Sequence, residues 1–198
     1  MKKIIWGIIL AAILMNILAG YKFVIFVSAQ ESPIEIWDDF TLDRDIVFSD
    51  DGFIIKGDDL VLDLNGHTIS GRGIGIYIEG KKAITILNGT IKGFERGVFS
   101  YHSNNISIHN IDFRECDIGI YLLYSSNNEI MNNRFNHSSH RSIHLDWCFN
   151  TSIVNNVLNG GGINTGTSGN IVLCLSLIHI SEPTRPRLIS YAVFCLKK

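Results

Sequence analysis

Residues 84–91 read ITILNGTI, and a related stretch returns three more times along the chain. The returns are ISIHNIDF at 106–113, NEIMNNRF at 128–135 and TSIVNNVL at 151–158. Their equivalent asparagines are Asn88, Asn110, Asn132 and Asn155, so the steps are 22, 22 and 23 residues. A fixed period of this length is the signature of a solenoid, in which each repeat stacks on the previous one.

A second short apolar stretch follows each of these asparagines by about nine residues. It contains Val98, Ile120, Ile143 and Ile163 in successive repeats, and Ile76 belongs to the same element one repeat earlier. In both stretches apolar residues alternate with polar ones and β-branched residues are frequent, which is typical of short strands and not of helices. Glycine, asparagine and serine lie between the stretches, where corners need positive φ angles.

These strands cannot bury their apolar side within one repeat, whereas stacked repeats can. Strand pairing between repeats gives a rise of about 4.8 Å per coil and places equivalent side chains above one another. We therefore expect an all-β parallel β-helix of about five coils, with 22–23 residues in each. The four asparagines are expected to stack as an amide ladder at an inward corner.

The composition argues against nucleic acid as a partner. The chain has 17 Lys and Arg against 19 Asp and Glu, for a net charge of −2, so it lacks the basic surplus that holds a phosphate backbone. Its four cysteines, Cys116, Cys148, Cys174 and Cys195, do not have the spacing of a metal motif. Two interpretations of Cys116 and Cys148 stay open: a disulfide in an exported chain, or two buried free thiols.

Residues 1–29 predict export. Lys2 and Lys3 precede a long apolar run that Lys22 interrupts, and small residues stand before Gln30. Such a segment is typical of a cleaved signal peptide. Its length also suits an uncleaved membrane anchor with the first two lysines on the inner side. Both alternatives place the rest of the chain in an extracytoplasmic location, either secreted or anchored to the membrane through this segment.

Residues 175–198, LSLIHISEPTRPRLISYAVFCLKK, break the repeat pattern. Read back into codons, Leu175–Arg185 and Ile189–Leu196 resemble two pieces of a sequencing adapter, in their normal order and spacing. We therefore expect this tail to be adapter-derived and non-native, and the solenoid to be truncated at its C-terminal end. The alternative is a genuine terminal strand or cap.

Several stretches carry a resemblance to a known family. DLNGHTISG at 63–71, GIYI at 75–78 and ILNGTI at 86–91 resemble the opening coils of right-handed parallel β-helix repeat proteins. SSNNEIMNNRF at 125–135 resembles the NosD-like subgroup of that family. The wider clan groups carbohydrate-binding proteins with sugar hydrolases and lyases, so the resemblance is specific for fold and weak for function.

The resemblance also implies a division of the chain. Residues 30–57 resemble the N-terminal cap that covers the first open edge of the solenoid. The coils then occupy residues 58–174, and the handedness implied by the family is right-handed.

The outward positions of the second strand predict an aromatic strip. If Ile76, Val98, Ile120 and Ile143 point inward, their neighbours face outward. The outward columns are then Tyr77, Phe99, Tyr121 and His144, and beside them Glu79, Tyr101, Leu123 and Asp146. Aromatic faces beside polar groups suit sugar rings, so glycan contact is expected at Tyr77, Phe99, Tyr101, Tyr121, His144 and Asp146. The alternative is an ordinary outer surface whose aromatic rings stack on one another.

Two polar clusters are candidate ion sites. Copper or zinc would use ligands such as His137, His140, His144 and Asp146, which are close in sequence. Calcium would use oxygen ligands from the turn that contains Asp112, Arg114, Glu115 and Asp117. Solvated corners account for both clusters without an ion, so we expect no cofactor.

The main functional hypothesis is a non-catalytic extracytoplasmic module that contacts polysaccharide or another cell-surface component. Catalytic motifs of the clan's polygalacturonases and pectate lyases are not recognisable in the sequence. One alternative is a polysaccharide lyase or glycoside hydrolase that has lost its catalytic coils. The other is a NosD-like factor in the maturation of a metal centre.

Overall fold

A computed structural model describes residues 31–174, and these residues form strands, turns and bends. The predicted N-terminal export segment and the predicted adapter-derived tail lie outside the described residues. Within residues 31–174, no helix has the length and apolar character that crossing a membrane requires.

The strands are short and follow one another at regular intervals along the chain. In chain order they are β1 (Ile34–Ile36), β2 (Phe40–Thr41), β3 (Ile46–Val47), β4 (Phe53–Ile55), β5 (Leu60–Asp63), β6 (Thr68–Ser70), β7 (Ile74–Glu79), β8 (Lys82–Lys92), β9 (Arg96–Tyr101), β10 (Asn104–Arg114), β11 (Ile118–Leu123), β12 (Glu129–Met131), β13 (Arg134–Asn136), β14 (Arg141–Asp146), β15 (Phe149–Val154), β16 (Val157–Asn159), β17 (Ile163–Asn164) and β18 (Gly169–Cys174).

The strands stack into two parallel sheets that run along the solenoid. One sheet has seven strands in the order β1-β4-β7-β9-β11-β14-β17. The other has eleven, with a main path β18-β15-β12-β10-β8-β5-β2 and the short strands β3, β6, β13 and β16 beside it. Every strand pair is parallel, and each pairs with the strand one coil away. The predicted all-β parallel solenoid is therefore confirmed, with about six turns between β1 and β17.

The core consists of files of like side chains that rise through successive coils. Ile76, Val98, Ile120 and Ile143 are fully buried and in register, which confirms their predicted inward orientation. Phe113 and Phe135 stack in parallel with their ring centroids 4.8 Å apart. Burial of such side chains stabilises the fold by about 2 kcal/mol for each residue. Because a file shares one environment along its length, neighbouring coils tolerate the same residue type.

The corners of the coils use left-handed backbone conformations, usually at residues other than glycine, and at Asn88 and Asn110 the corner lies within β8 and β10. Asn88, Asn110, Asn132 and Asn155 occupy equivalent corners with φ between 54° and 57°. A left-handed residue breaks the period-two alternation, because its side chain and that of the residue before it both leave the core side. The predicted inward orientation of these asparagines is therefore wrong. Asn88 is half-buried, and the other three are exposed.

The inward asparagines are the next residues in two of the coils, Asn133 and Asn156. Both are buried, and they lie above Ile111 in the same file. Asn133 Nδ2 donates to the Ile108 carbonyl oxygen at 2.8 Å, and Asn133 Oδ1 accepts the Ile111 N–H at 2.9 Å. Asn156 repeats this arrangement one coil later, with 2.8 Å from its Nδ2 to the Ile130 carbonyl. The buried amide ladder is therefore offset by one residue from the predicted one. Of the predicted asparagines, Asn110 Nδ2 donates to Asn88 Oδ1 at 3.4 Å, on the exposed side of the corner.

The two cysteines with described side chains are free and buried. Cys116 Sγ lies 3.6 Å from the Ile91 carbonyl oxygen, and Cys148 Sγ lies 3.3 Å from the Leu122 carbonyl oxygen. Burial raises the pKa of the Cys116 thiol to about 11 and also raises that of Cys148. The sequence left open a disulfide or two buried free thiols, and the structure has two buried free thiols.

Candidate functional site

Four rings stand in one file on the outer face of the seven-stranded sheet. This outer aromatic file contains Tyr77, Phe99, Tyr121 and His144, in register on β7, β9, β11 and β14. Successive ring centroids are 5.8, 5.2 and 4.4 Å apart, and the Tyr121 and His144 rings are parallel to within 4°. The rings therefore cover much of each other's faces. What they present to solvent is mainly ring edges.

A second file lies beside it, two residues further along each strand. This middle file contains Glu79, Tyr101, Leu123 and Asp146. Tyr77 donates its hydroxyl hydrogen to Glu79 Oε2 at 2.7 Å, and burial together with this bond raises the pKa of Tyr77 to about 12. Asp146 Oδ1 accepts from the Thr167 hydroxyl at 2.8 Å. The middle file thus combines an aromatic and an aliphatic residue with a carboxylate at each end.

The corner that follows these strands carries three further aromatic side chains. This aromatic corner consists of His102, Tyr124 and Trp147, which immediately follow Tyr101, Leu123 and Asp146. The His102 and Tyr124 rings are 4.9 Å apart and nearly parallel, and the Tyr124 and Trp147 rings are 6.1 Å apart. Tyr124 is 44% exposed and Trp147 is 48% exposed. The aromatic corner therefore places large aromatic rings at the surface, on backbone that turns between two sheets.

The aromatic corner is conformationally costly. His102, Tyr124 and Trp147 have φ angles of 49°, 51° and 51°, whereas Gly80 fills the equivalent position one coil earlier. A bulky residue in the left-handed region loses about 1–2 kcal/mol relative to the right-handed region, and glycine avoids this loss. Backbone strain of this kind clusters at functional sites.

Positive charge lies at the opposite edge of the same face. Arg96 and Arg141 begin β9 and β14, and the Arg96 guanidinium carbon lies 4.9 Å from the centroid of the Phe99 ring. The same carbon is 5.8 Å from the Tyr121 ring, and Arg96 also pairs with Glu95 at 3.3 Å. A guanidinium above aromatic rings is held by the negative potential of the ring faces. Arg96 therefore closes one side of the outer aromatic file.

His144 is the one titratable ring in the outer aromatic file with a lowered pKa. Burial is the main cause, and the charge of Arg141 adds to it, so the neutral ring is favoured. Its Nδ1 is buried, with no hydrogen-bond partner among the described residues. Burial likewise raises the pKa of Tyr121, which keeps that hydroxyl protonated. The file is therefore uncharged at neutral pH.

The structure brings all six predicted glycan-contact residues onto one face, in the two adjacent files. The alternative interpretation, an ordinary outer surface whose aromatic rings stack on one another, also fits this arrangement. Sequence reasoning missed the aromatic corner. The signal was present, because Gly80, His102, Tyr124 and Trp147 recur at steps of 22, 22 and 23 residues.

The other two candidate clusters do not form an ion site. His137 and His140 are exposed corner residues, whereas His144 is on a strand. In the charged turn, Arg114 Nε and Nη2 both contact Asp112 Oδ2, at 2.8 and 2.6 Å. Glu115 pairs with Lys92 at 3.6 Å. Within residues 31–174, no group of three His, Cys, Asp or Glu side chains is placed to hold a metal ion.

Comparison with known families agrees with this geometry. A family model described as a right-handed β-helix region matches residues 42–175. The chain belongs to this right-handed β-helix family. No curated protein and no solved structure matches the chain. Membership of the β-helix family gives the handedness and the stacking of coils, but one scaffold of this kind hosts many activities. The aromatic surface is therefore the feature of this chain that bears on its function.

Proposed function

We propose that this chain is a non-catalytic, extracytoplasmic β-helix module that binds polysaccharide through the aromatic corner and the adjoining middle file. The observation that carries the proposal is the run of His102, Tyr124 and Trp147 in left-handed conformations on the surface. A corner needs only glycine or asparagine, so three exposed rings at that position add strain that the fold itself does not require.

The chemistry of this surface suits sugars. A pyranose ring has an apolar face that packs on an aromatic ring and hydroxyl groups that hydrogen-bond around its edge. Tyr124 and Trp147 supply the aromatic surface, and the Asp146 carboxylate lies directly beside Trp147 in the chain as an acceptor for hydroxyl groups. The outer aromatic file contributes less, because its rings are only partly exposed, whereas Tyr124 and Trp147 are exposed.

The extracytoplasmic location is supported by the sequence of residues 1–29. A pair of lysines before a long apolar run is the pattern of an export signal or an anchor. Polysaccharides of the cell surface are accessible on that side of the membrane. Protease digestion of intact cells would test this location, since an extracytoplasmic chain is expected to be cleaved while a cytoplasmic marker survives.

A glycan array probed with the full chain tests the binding. Trp147→Ala is expected to lower the affinity for the bound glycan by about tenfold or more, because an exposed aromatic anchor is lost. Trp37→Ala is the matched control, since Trp37 is 62% exposed and follows β1, which lies five strands from β14 in the seven-stranded sheet. Equal loss in both variants, or binding that Trp147→Ala leaves unchanged, would contradict the proposed site.

A further inference from the structure

We propose that Asn159 is a site of spontaneous deamidation, and that the carboxylate it forms breaks a chain of side-chain hydrogen bonds across three coils. Asn159 belongs to β16 in the eleven-stranded sheet and not to the aromatic corner. The proposal therefore does not rest on polysaccharide binding.

The reaction joins the side chain of Asn159 to the backbone nitrogen of Gly160. This nitrogen attacks Asn159 Cγ, the Cγ–Nδ2 bond breaks, and Nδ2 leaves as ammonia with the proton of the Gly160 amide. Water then opens the cyclic imide that results. Opening at the side-chain carbonyl gives aspartate, and opening at the main-chain carbonyl gives isoaspartate, so water is the only other reactant.

Within residues 31–174, three asparagines are followed by glycine: Asn65, Asn88 and Asn159. A following glycine favours ring closure, because it has no Cβ to hinder the approach and its backbone reaches conformations closed to other residues. All three pairs share this advantage. The surroundings of each pair in the fold therefore decide which of them reacts.

The fold holds the Asn65 pair in place at its corner. The Gly66 N–H donates to the Asn88 carbonyl oxygen at 2.8 Å, and Asn65 Nδ2 donates to the Leu42 carbonyl oxygen at 3.2 Å. Both the attacking nitrogen and the leaving group are therefore engaged with neighbouring coils. Local opening must come before the reaction at this pair.

The Asn88 pair is held by the strand ladder. Gly89 lies inside β8, in register with Ile111 of the next coil. Asn88 Nδ2 lies 3.3 Å from Asp63 Oδ1, and Asn88 Oδ1 accepts from Asn110 Nδ2 at 3.4 Å. Ring closure would require the middle of a long, paired strand to open, which is a costly form of local opening.

The Asn159 pair lies at an open position. Asn159 is the last residue of β16, which pairs with β13 alone among the described strands. Gly160 is exposed with φ of 94°, and its N–H has no hydrogen-bond partner among the described residues. The Asn159 carbonyl oxygen accepts the His137 N–H at 3.0 Å, so only one side of this corner is anchored. The attacking nitrogen is therefore available here.

Conversion of Asn159 would break a directional chain of hydrogen bonds. Asn159 Nδ2 donates to Asn136 Oδ1 at 3.0 Å, and Asn136 Nδ2 donates to Asp112 Oδ1 at 2.7 Å. A carboxylate at position 159 replaces the first donor with an acceptor that faces Asn136 Oδ1. Turning the Asn136 amide around would instead set its oxygen against Asp112. Either arrangement leaves two acceptors in contact, which weakens the attachment of the last of these coils.

The site is tested by ageing the full chain at neutral pH and mapping its peptides by mass spectrometry. Asn159 is expected to convert about tenfold faster than Asn65 or Asn88, because an edge corner opens more often than a paired one. Equal or faster conversion at either of the other two would overturn the assignment. So would an intact Asn159 after the time in which a free peptide of residues 155–164 has fully converted.

The matched control for ageing is Asn159→Gln, which keeps an amide but would have to close a larger and slower ring. The midpoint of urea unfolding is expected to fall on ageing in the unaltered chain and to stay constant in this variant. The same loss in both proteins would mean that the conversion of Asn159 is not its cause.

The hydrogen-bond chain is tested by placing the carboxylate directly. Asn159→Asp is expected to lower the midpoint of urea unfolding. In an Asp112→Asn background the fall is expected to shrink by about half or more, because Asn136 is then free to turn its amide toward position 159. A fall of the same size in both backgrounds would show that the two ends of the chain are not coupled.

Discussion

The asparagine corner (Asn88, Asn110, Asn132 and Asn155) and the aromatic corner have the same backbone conformation and very different side chains. All of these residues have φ between 49° and 57°, yet the asparagine corner carries asparagine in each of four coils. Asparagine tolerates this conformation well because its short polar side chain bonds locally, whereas histidine, tyrosine and tryptophan tolerate it poorly. The difference teaches that the fold sets the backbone of both corners, while only the first has the side chain that the backbone favours.

The largest expected effect is a difference in stability between variants of two neighbouring residues at the asparagine corner. Asn133→Ala is expected to lower the free energy of unfolding by about 3 kcal/mol, because it leaves the Ile111 N–H and the Ile108 carbonyl without their buried partners. Asn132→Ala is expected to cost about 1 kcal/mol, since it changes an exposed residue in a left-handed conformation. Urea unfolding of the two variants measures both values. Equal costs would mean that the buried ladder contributes nothing special.

A single substitution gives the asparagine corner a side chain of the kind found at the aromatic corner. Asn132→Tyr places an aromatic residue at the asparagine corner, where no aromatic file is present to stack on it. It is expected to lower the free energy of unfolding by about 1 kcal/mol, because the strain is added without a compensating contact. Urea unfolding against the unaltered chain is the measurement. An unchanged stability would show that the left-handed corner accepts aromatic residues freely.

The reverse substitution, asparagine in place of an aromatic residue at the aromatic corner, is expected to have a smaller effect on the free energy of unfolding. Tyr124→Asn relieves strain but removes ring contacts with His102 and Trp147, and these terms are of similar size. The free energy of unfolding, measured with urea, is therefore expected to change by less than about 0.5 kcal/mol. Glycan affinity measured on the same sample is expected to fall. A large loss of stability would assign Tyr124 a structural role and weaken the binding proposal.

The smallest expected effect is a pH dependence at His144, on the face next to the aromatic corner. Its folded pKa is lowered from 6.5, so the unfolded chain binds the proton more readily. Stability from this group is therefore present above pH 6.5 and is lost as pH falls from 6.5 toward the lower folded pKa. His144→Phe keeps a ring against Tyr121 and removes the titration. The variant should lose less stability than the unaltered chain between about pH 7.5 and about pH 5, as followed by urea unfolding. Parallel curves for the two proteins would contradict this assignment.

The stacking of coils was predictable because the period is written in the sequence. The recurrence of ITILNGTI-like stretches gives the register, and the pairing of Ile86 with Ile108 and of Ile108 with Ile130 follows it. The burial of Ile76, Val98, Ile120 and Ile143 follows from alternation within a strand. Contacts of this kind depend only on position within the repeat, so sequence reasoning finds them.

The corners were less predictable because each left-handed residue interrupts the alternation. Reasoning in steps of two carries an inward position from Ile86 to Asn88, but the left-handed conformation at Asn88 moves the inward position to the next residue. The same step from Leu122 places Tyr124 inside, although it is exposed. One physical rule therefore accounts for both the misplaced asparagine ladder and the missed aromatic corner.

The buried amides also point in one direction along the chain. The Asn133 side chain bonds to backbone groups of the coil before it, and its Nδ2 also donates to Asn156 Oδ1 at 3.1 Å. The Asn156 side chain in turn bonds to backbone groups of the coil of Ile130 and Asn133. Each of these coils is completed by its successor. Fraying from the C-terminal side would leave polar groups of the preceding coil uncompensated, and so promote the next opening step. Amide hydrogen exchange in this half should consequently progress toward lower residue numbers as a sequence of linked events.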